Sequence, residues 1–385
     1  MTEGGRILRI KLRFILNSLG GGGAEKVLVE LLKQLDPNEY DIHLLTVAGG
    51  VHAASIPSHV HCKQIVSVKS ERSGCFLRKV VRKMPPWLFR LLFLHGEYDY
   101  NIAYLEGTPT RFLAALPADA KKIAFIHCDL STKNLIAPFY KDDDEILAEY
   151  RSFHRVCFVS QQCMEGFQRT FGGLDNACVV HNVLNYDLIR SRAREEDPHA
   201  YQTEGLKLIT VGRLSEPKAY DRLLRVVSEL EKDFNFQLWI VGEGDERKKL
   251  EDLIRERDIR SVSLLGYQTN PYSFMSKADL YVCSSIYEGY STVVTEALTL
   301  ALPVLTTDCA GMNEILDGGE YGMIVSNTEE ALKEGLTRFL SSPDIYQHYK
   351  QKALEKSSTL SNQIAIREFG ALFEADRLFK QKNEI

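Results

Sequence analysis

Short apolar runs alternate with amphipathic stretches along most of this chain, and the hydrophobic period switches between two and 3.6 residues as they do. Leu8–Leu16 predicts a strand, Gly20–Gly23 a loop, and Ala24–Leu35 a helix with Ala24, Val27, Leu28, Leu31, Leu32 and Leu35 on one face. Tyr40–Val47 returns to a strand pattern, and further strands are predicted over Tyr98–Leu105, Lys122–His127, Arg155–Ser160 and Ala177–His181. Such alternation predicts a parallel sheet covered by helices.

Around Asn185–Glu204 the chain turns polar, which places a domain linker there. A second series follows, with strands predicted over Leu206–Val211, Phe236–Val241, Val262–Leu265, Leu280–Cys283, Pro303–Thr306 and Gly322–Val325. The tail from Ser342 reads as helices ending in basic and polar residues. The expected fold class is therefore α/β, with two similar Rossmann-like units, although no strong sequence repeat relates them. Ligands of such sheets lie at the carboxyl ends of the strands, so the site is expected in a cleft between the two domains.

A chain of 385 residues fits two domains better than one core. Its 44% apolar and 26% charged residues are ordinary for a globular protein. The net charge of −5 argues against nucleic acid as a partner. That charge is uneven: Lys69 to Arg90 holds seven basic residues and one acidic one, so it carries +6 and the remainder −11. The amino terminus alternates apolar residues with Arg9, Lys11 and Arg13, so it is not read as a signal peptide. No run approaches the roughly 20 apolar residues of a spanning helix. A cytoplasmic protein is expected, peripheral on the inner face of the plasma membrane. Of the eight Cys, Cys157, Cys178 and Cys283 sit in strand-like runs, where thiols serve as small core residues. No C-x-x-C occurs, so neither a zinc site nor a disulfide framework is read.

The most informative pairing is V-G-R-L-S-E-P-K, Val211 to Lys218, with E-G-Y-S-T-V-V-T-E, Glu288 to Glu296. Arg213 and Lys218 lie on a loop after an apolar strand, and fixed cations suit a diphosphate whose charge grows as a bond to it breaks. Glu288 precedes Gly289 and a helix for which Ser291 is the expected N-cap, while Glu296 lies inside that helix. Five helical residues span about 7.5 Å, so the two carboxylates are expected to bind separate parts of one extended ligand. The amides of Gly289, Tyr290, Ser291 and Thr292 can hold a phosphate. Gly20 to Gly23 precede a helix and allow close backbone approach, yet no Gly-Lys-Ser/Thr follows and the third Gly of a dinucleotide fingerprint is missing. His127 ends a strand, where a lone His is more often structural than reactive. Asp142 to Asp144 read as a charged first helical turn and not as a metal site. The segment containing Arg78, Lys79, Arg82, Lys83 and Trp87 mixes basic with large apolar residues, the composition of a helix lying in a membrane interface. An ordinary packed domain helix is the alternative.

These residues resemble the retaining nucleotide-sugar glycosyltransferases of family 4, with the GT-B fold. The resemblance spans nearly the whole chain. It rests on G-G-G-A-E-K near the start, V-V-H-N at Val179–Asn182, V-G-R-L-S-E-P-K, I-V-G-E-G at Ile240–Gly244, L-L-G-Y at Leu264–Tyr267, and the E-x7-E of Glu288 and Glu296. It implies that Arg213 and Lys218 grip the diphosphate, that Glu288 meets the transferred sugar and that Glu296 meets the ribose. Gly22 and Gly23 would close over the phosphates. His127 would stand near the reacting sugar, and Gly242 and Tyr267 would line the donor site. It implies three segments: an acceptor-binding domain over 1–190, a donor-binding domain over 191–360, and a helix over 361–385 packing back on the first domain. No cofactor and no essential metal are implied. The chain departs from the pattern at Lys218-Ala219-Tyr220, where Lys-Gly-aromatic is commoner, at Tyr290, where Phe is frequent, and at Asp308–Glu314, which lacks a double Gly.

The reading is a retaining hexosyltransferase whose partners are a UDP-sugar, a lipid-linked glycan acceptor and an anionic membrane surface, in cell-surface polysaccharide or lipopolysaccharide synthesis. A soluble transferase acting on a small-molecule or protein acceptor, and a non-catalytic sugar-nucleotide-binding protein, are the alternatives. Glycoside hydrolysis by Glu288 and Glu296 would leave the two cations without a purpose, and a dehydrogenase lacks its glycine.

Overall fold

The computed structural model describes residues 9–67, 71–195 and 205–374. Leu8 of the first expected strand, Lys69 of the basic segment, residues 196–204 of the expected linker and the tail 375–385 lie outside the described residues. Residues up to Leu184, joined by those from Asn362, form one compact unit, and Asn185–Ser361 form a second. The chain thus passes between units at Leu184, and the start of the polar stretch folds as the helix Tyr186–Ala193 of the second unit, capped by the Asn185 side chain.

In the first unit, seven parallel strands form one sheet: β1 (Ile10–Ser18), β2 (Tyr40–Ala48), β3 (His61–Gln64), β4 (Tyr100–Ala103), β5 (Lys122–Ile126), β6 (Arg155–Phe158) and β7 (Ala177–Val179). Their order is β3-β2-β1-β4-β5-β6-β7. The short edge strand β3, H-C-K-Q, was not foreseen: all four of its residues are exposed, so it has no apolar alternation to read. Arg13 of β1 is buried, with its guanidinium donating to Asn101 Oδ1 at 2.8 Å and to the His95 carbonyl at 3.0 Å. Asp142 caps the helix Asp143–Arg151 by accepting from the Glu145 N–H at 2.9 Å, so the acidic run is a helical first turn.

The basic segment is two helices and not one. Glu71–Arg82 and Pro86–Phe93 meet at Pro85-Pro86, where consecutive prolines cannot continue a helix. Part of this segment packs as an ordinary domain element. Val81 and Leu94 are buried, and Phe89 stacks on Phe112 with centroids 3.6 Å apart. The rest faces out: Phe76, Leu77, Val80, Trp87, Leu91 and Leu92 are exposed beside the exposed Arg78, Lys79, Arg82 and Lys83. Among the described residues, no helix is long and apolar enough to cross a membrane.

The helix Gln363–Ala371 belongs to the first unit, where Phe369 stacks on Phe14 (centroids 6.2 Å) and Glu368 accepts from the His181 N–H at 2.9 Å. The His181 ring Nδ1 lies 2.9 Å from the same carboxylate. Burial raises the Glu368 pKa, but the bonds from His181 outweigh it and hold the carboxyl below its usual range. The ionised partner therefore stabilises this attachment at neutral pH, and that contribution fades as pH falls through the lowered value. Glu368→Ala is expected to cost about 1–3 kcal/mol, read as a lower denaturant midpoint with added proteolysis near residue 362.

The second unit repeats the plan with six parallel strands: β8 (Leu206–Val211), β9 (Phe236–Val241), β10 (Val262–Gly266), β11 (Leu280–Cys283), β12 (Val304–Thr307) and β13 (Met323–Val325). Their order, β10-β9-β8-β11-β12-β13, matches the first six strands of the other sheet. The chain runs outward from β8 to β10, then returns to the other side of β8. Loops leaving β8 and β11 therefore diverge at the reversal, which is where such sheets leave a crevice for ligands.

Candidate active site

Leaving β8, the chain runs through Gly212 and Arg213 into a short turn, Glu216–Lys218, and then the helix Tyr220–Leu230. Ala219 joins turn to helix in the left-handed region at φ 48°. That conformation is free for Gly and costs a residue with a Cβ about 1–2 kcal/mol, which gives a physical reason for the Gly common at this point in the sequences this chain resembles. Arg213 is exposed and pairs with no carboxylate among the described residues. Lys218 turns inward, and its ammonium lies 2.5 Å from Glu288 Oε1. Burial works against the charged ammonium, but Glu288 more than offsets this and the Lys218 pKa ends raised.

The loop leaving β11 supplies that carboxylate. Glu288 Oε1 also accepts from the Ser285 hydroxyl at 2.7 Å. Arg222, one turn into the helix after Lys218, grips this loop from behind: it donates to the Ser284 carbonyl at 2.5 Å and to Asn327 Oδ1 at 2.9 Å. Asn327 in turn donates to the Ile286 carbonyl at 2.7 Å. Sequence reasoning missed Arg222, Ser285 and Asn327. Nothing in the local pattern separates them from surface polar residues, since their role comes from tertiary contact alone.

Ser291 caps the helix Thr292–Thr299 as expected, accepting from the Val294 N–H at 3.5 Å. Gly289 and Ser291 are buried, while Tyr290 and Thr292 are partly so. Glu296 is fully buried and accepts from the Tyr272 hydroxyl at 3.3 Å. The two carboxylates thus have different partners: Lys218 and Ser285 for Glu288, Tyr272 for Glu296. Gly242 after β9 (φ 149°) packs its α-carbon onto the Gly212 carbonyl, leaving no room for a side chain. Gly311 after β12 (φ 80°) would set a Cβ 2.6 Å from the Gly289 carbonyl. These glycines let the loops at the carboxyl ends pack backbone to backbone. Tyr267 after β10 is exposed.

In the first unit, Gly22 is the N-cap residue of the helix Gly23–Gln34, one residue earlier than expected. His127 follows β5, with its ring against Tyr104 (centroids 4.9 Å). Its backbone N–H donates to Glu106 Oε2 at 3.0 Å, and the Cys128 thiol donates to Glu106 Oε1 at 3.3 Å. Glu106 is a further residue that sequence reasoning did not single out. Burial lowers the His127 pKa to about 3, only partly opposed by a hydrogen bond to the Tyr104 backbone. The imidazole is thus neutral at any assay pH, and its buried Nε2 has no hydrogen-bond partner among the described residues. A neutral imidazole does not act as a cation. In the unfolded chain this ring takes up a proton near the ordinary imidazole value of 6.5, so the group costs stability progressively as pH falls from there towards 3. Its Cε1 proton resonance is expected to stay fixed between about pH 5 and 8, the window in which an ordinary imidazole titrates; a titration midpoint inside that window would contradict the assignment.

Two parallel Rossmann-like sheets, of seven and six strands, are the architecture of the GT-B class of glycosyltransferase folds. HepE of Anabaena, solved with UDP and glucose, shares the fold with a TM-score of 0.74 at 17% identity, covering 95% of this chain and 100% of that one. Sucrose-phosphate synthase from Thermosynechococcus elongatus has a TM-score of 0.76 at 16% identity, covering 95% and 99%. Residues 21–188 match the family model described as Glycosyltransferase Family 4, and residues 191–356 that of Glycosyl transferases group 1. The chain belongs to the family-4 type of glycosyltransferase. Among its relatives, N-acetylgalactosamine-N,N'-diacetylbacillosaminyl-diphospho-undecaprenol 4-alpha-N-acetylgalactosaminyltransferase of Campylobacter jejuni is 25% identical over 359 residues, 89% of this chain and 93% of that one. The O-antigen biosynthesis glycosyltransferase WbnH of Escherichia coli is 32% identical over 151 residues, 39% of this chain and 41% of that one.

Proposed function

We propose that this glycosyltransferase moves a sugar from a UDP-sugar to a hydroxyl of a lipid-linked glycan, with retention at the anomeric carbon. The setting is cell-surface polysaccharide or lipopolysaccharide assembly on the inner face of the plasma membrane. The observation that carries the donor reading is the Lys218–Glu288 pair at the strand-order reversal, with Arg213 exposed on the same loop.

Breaking a glycosidic bond to a nucleotide leaves charge on the departing diphosphate. Lys218, Arg213 and the amides that begin the helix Thr292–Thr299 offer fixed positive charge and dipoles to it. Among the described residues Glu288 makes both of its hydrogen bonds through Oε1, so its other oxygen is left for a sugar hydroxyl. Glu296 is the candidate for the ribose, and the neutral His127 for a hydroxyl near the reacting carbon. Gly22 and Gly23 would approach the phosphates, and Gly242, Tyr267, Gly289 and Tyr290 would line the donor site.

Two observations support the acceptor. The Campylobacter jejuni relative, whose name specifies a diphospho-undecaprenol-linked acceptor, aligns over 93% of its length. The exposed apolar and basic residues between Phe76 and Leu92 suit a membrane interface. Retention is tested by following the anomeric proton of fresh product by NMR. A product with the donor's anomeric configuration is expected, and the opposite configuration would overturn retention.

A further inference from the structure

We propose that Asp41, His43 and His61 form a binding site for a zinc-class divalent ion, one that clips the edge strand β3 to β2. His43 and His61 are direct partners in the parallel register of these strands. Asp41 stands two residues before His43 and so projects from the same face. Its Oδ1 lies 3.3 Å from His43 Nε2 and 3.6 Å from His61 Nε2, and one donor atom from each residue falls within 4.8 Å of the others. A tetrahedral zinc ion with bonds near 2.0–2.1 Å needs ligand atoms separated by about 3.3–3.4 Å. The two distances from Asp41 are close to that. His43 Nε2 is buried, and its 3.3 Å contact with Asp41 is at the long end of hydrogen-bond range.

The donor set is chemically apt. Two imidazoles and one carboxylate suit zinc and its first-row neighbours better than calcium or magnesium. His61 is mostly exposed, which leaves a fourth position to water. Lys11 and Arg13, opposite Asp41 and His43 on β1, work against a cation. Both lie over the Tyr98 ring, at 4.8 and 4.4 Å, and Arg13 is further held by Asn101.

The placement indicates the role. Asp41, His43 and His61 sit near the amino ends of β2 and β3, whereas ligands of such sheets react at the carboxyl ends. An ion here would hold a four-residue edge strand that has no buried side chain of its own. This inference does not rest on the transferase reading.

The test uses full-length protein freed of metal by chelation and desalting, then titrated with Co2+ and with Zn2+. One Co2+ per chain with tetrahedral visible absorption is expected, and saturating Zn2+ should raise the melting temperature by roughly 3–10 °C. Both responses should vanish in His61→Ala and in Asp41→Asn, while the metal-free melting temperature of His61→Ala stays that of the parent. Cys62 is exposed and points to the other face of β3, so Cys62→Ser should respond as the parent does. No absorption and no shift, an unchanged shift in His61→Ala, or loss of the shift in Cys62→Ser would each overturn the proposal.

Discussion

Arg213→Ala is expected to lower kcat/KM by about 10²–10³ while leaving the melting temperature unchanged. Arg213 is exposed and makes no ion pair among the described residues, so folding does not depend on it. Its loss removes one fixed cation from the departing diphosphate, the kind of donor whose removal costs about 2.7–4 kcal/mol of barrier. Lys218→Ala should be as damaging to turnover but should also destabilise the fold. It would leave the mostly buried Glu288 carboxylate with the Ser285 hydroxyl and no cation. An unpaired buried charge is costly where an exposed one is not. Paired steady-state kinetics and thermal melts separate the two variants. Full activity in Arg213→Ala would remove Arg213 from the donor site.

Replacing Arg78, Lys79, Arg82 and Lys83 together with Gln should release the protein from anionic vesicles. Each basic residue near an anionic leaflet contributes about 1 kcal/mol, so four amount to roughly 10³ in partition coefficient. All four side chains are exposed, which makes their replacement harmless to folding. They lie among Phe76, Leu77, Val80, Trp87, Leu91 and Leu92, whose exposed apolar area would enter the interface beside them. Sedimentation with vesicles of increasing anionic lipid content measures the effect. The parent should bind more tightly as that content rises and lose binding at high salt. Equal binding by parent and variant would mean that this face serves something other than a membrane.

Much of the framework was legible because it is written in apolar periodicity. The strand near β8, its loop and the helix after it follow from L-K-L-I-T-V, the Gly-Arg turn and the spaced leucines of Leu223, Leu224 and Leu230. Ser291 could be read as a cap because capping is local. What escaped was set by contacts between distant segments. Edge strand β3 offers no buried position to betray it. Arg222 holds the Glu288 loop through carbonyl groups some 60 residues away in sequence, at Ser284 and Ser285, and no motif reports that (the carbonyls belong to the backbone). The division of the basic segment into two helices was legible and was overlooked, since Pro85-Pro86 marks the break. Arg13 is buried despite its charge because Tyr98, Asn101 and the His95 carbonyl cover it, contacts that local pattern does not report.

The proposed reaction cleaves a nucleotide sugar at the donor site of the second unit and passes the sugar to a lipid-linked acceptor. The most direct measurement is nucleotide release by the purified protein across a panel of UDP- and GDP-sugars, with and without a polyprenyl-diphosphate-linked saccharide. Release from one UDP-sugar, rising steeply with acceptor and lost in Arg213→Ala, is the predicted result. Release that ignores the acceptor, or an absence of nucleotide binding by a folded protein, would contradict it.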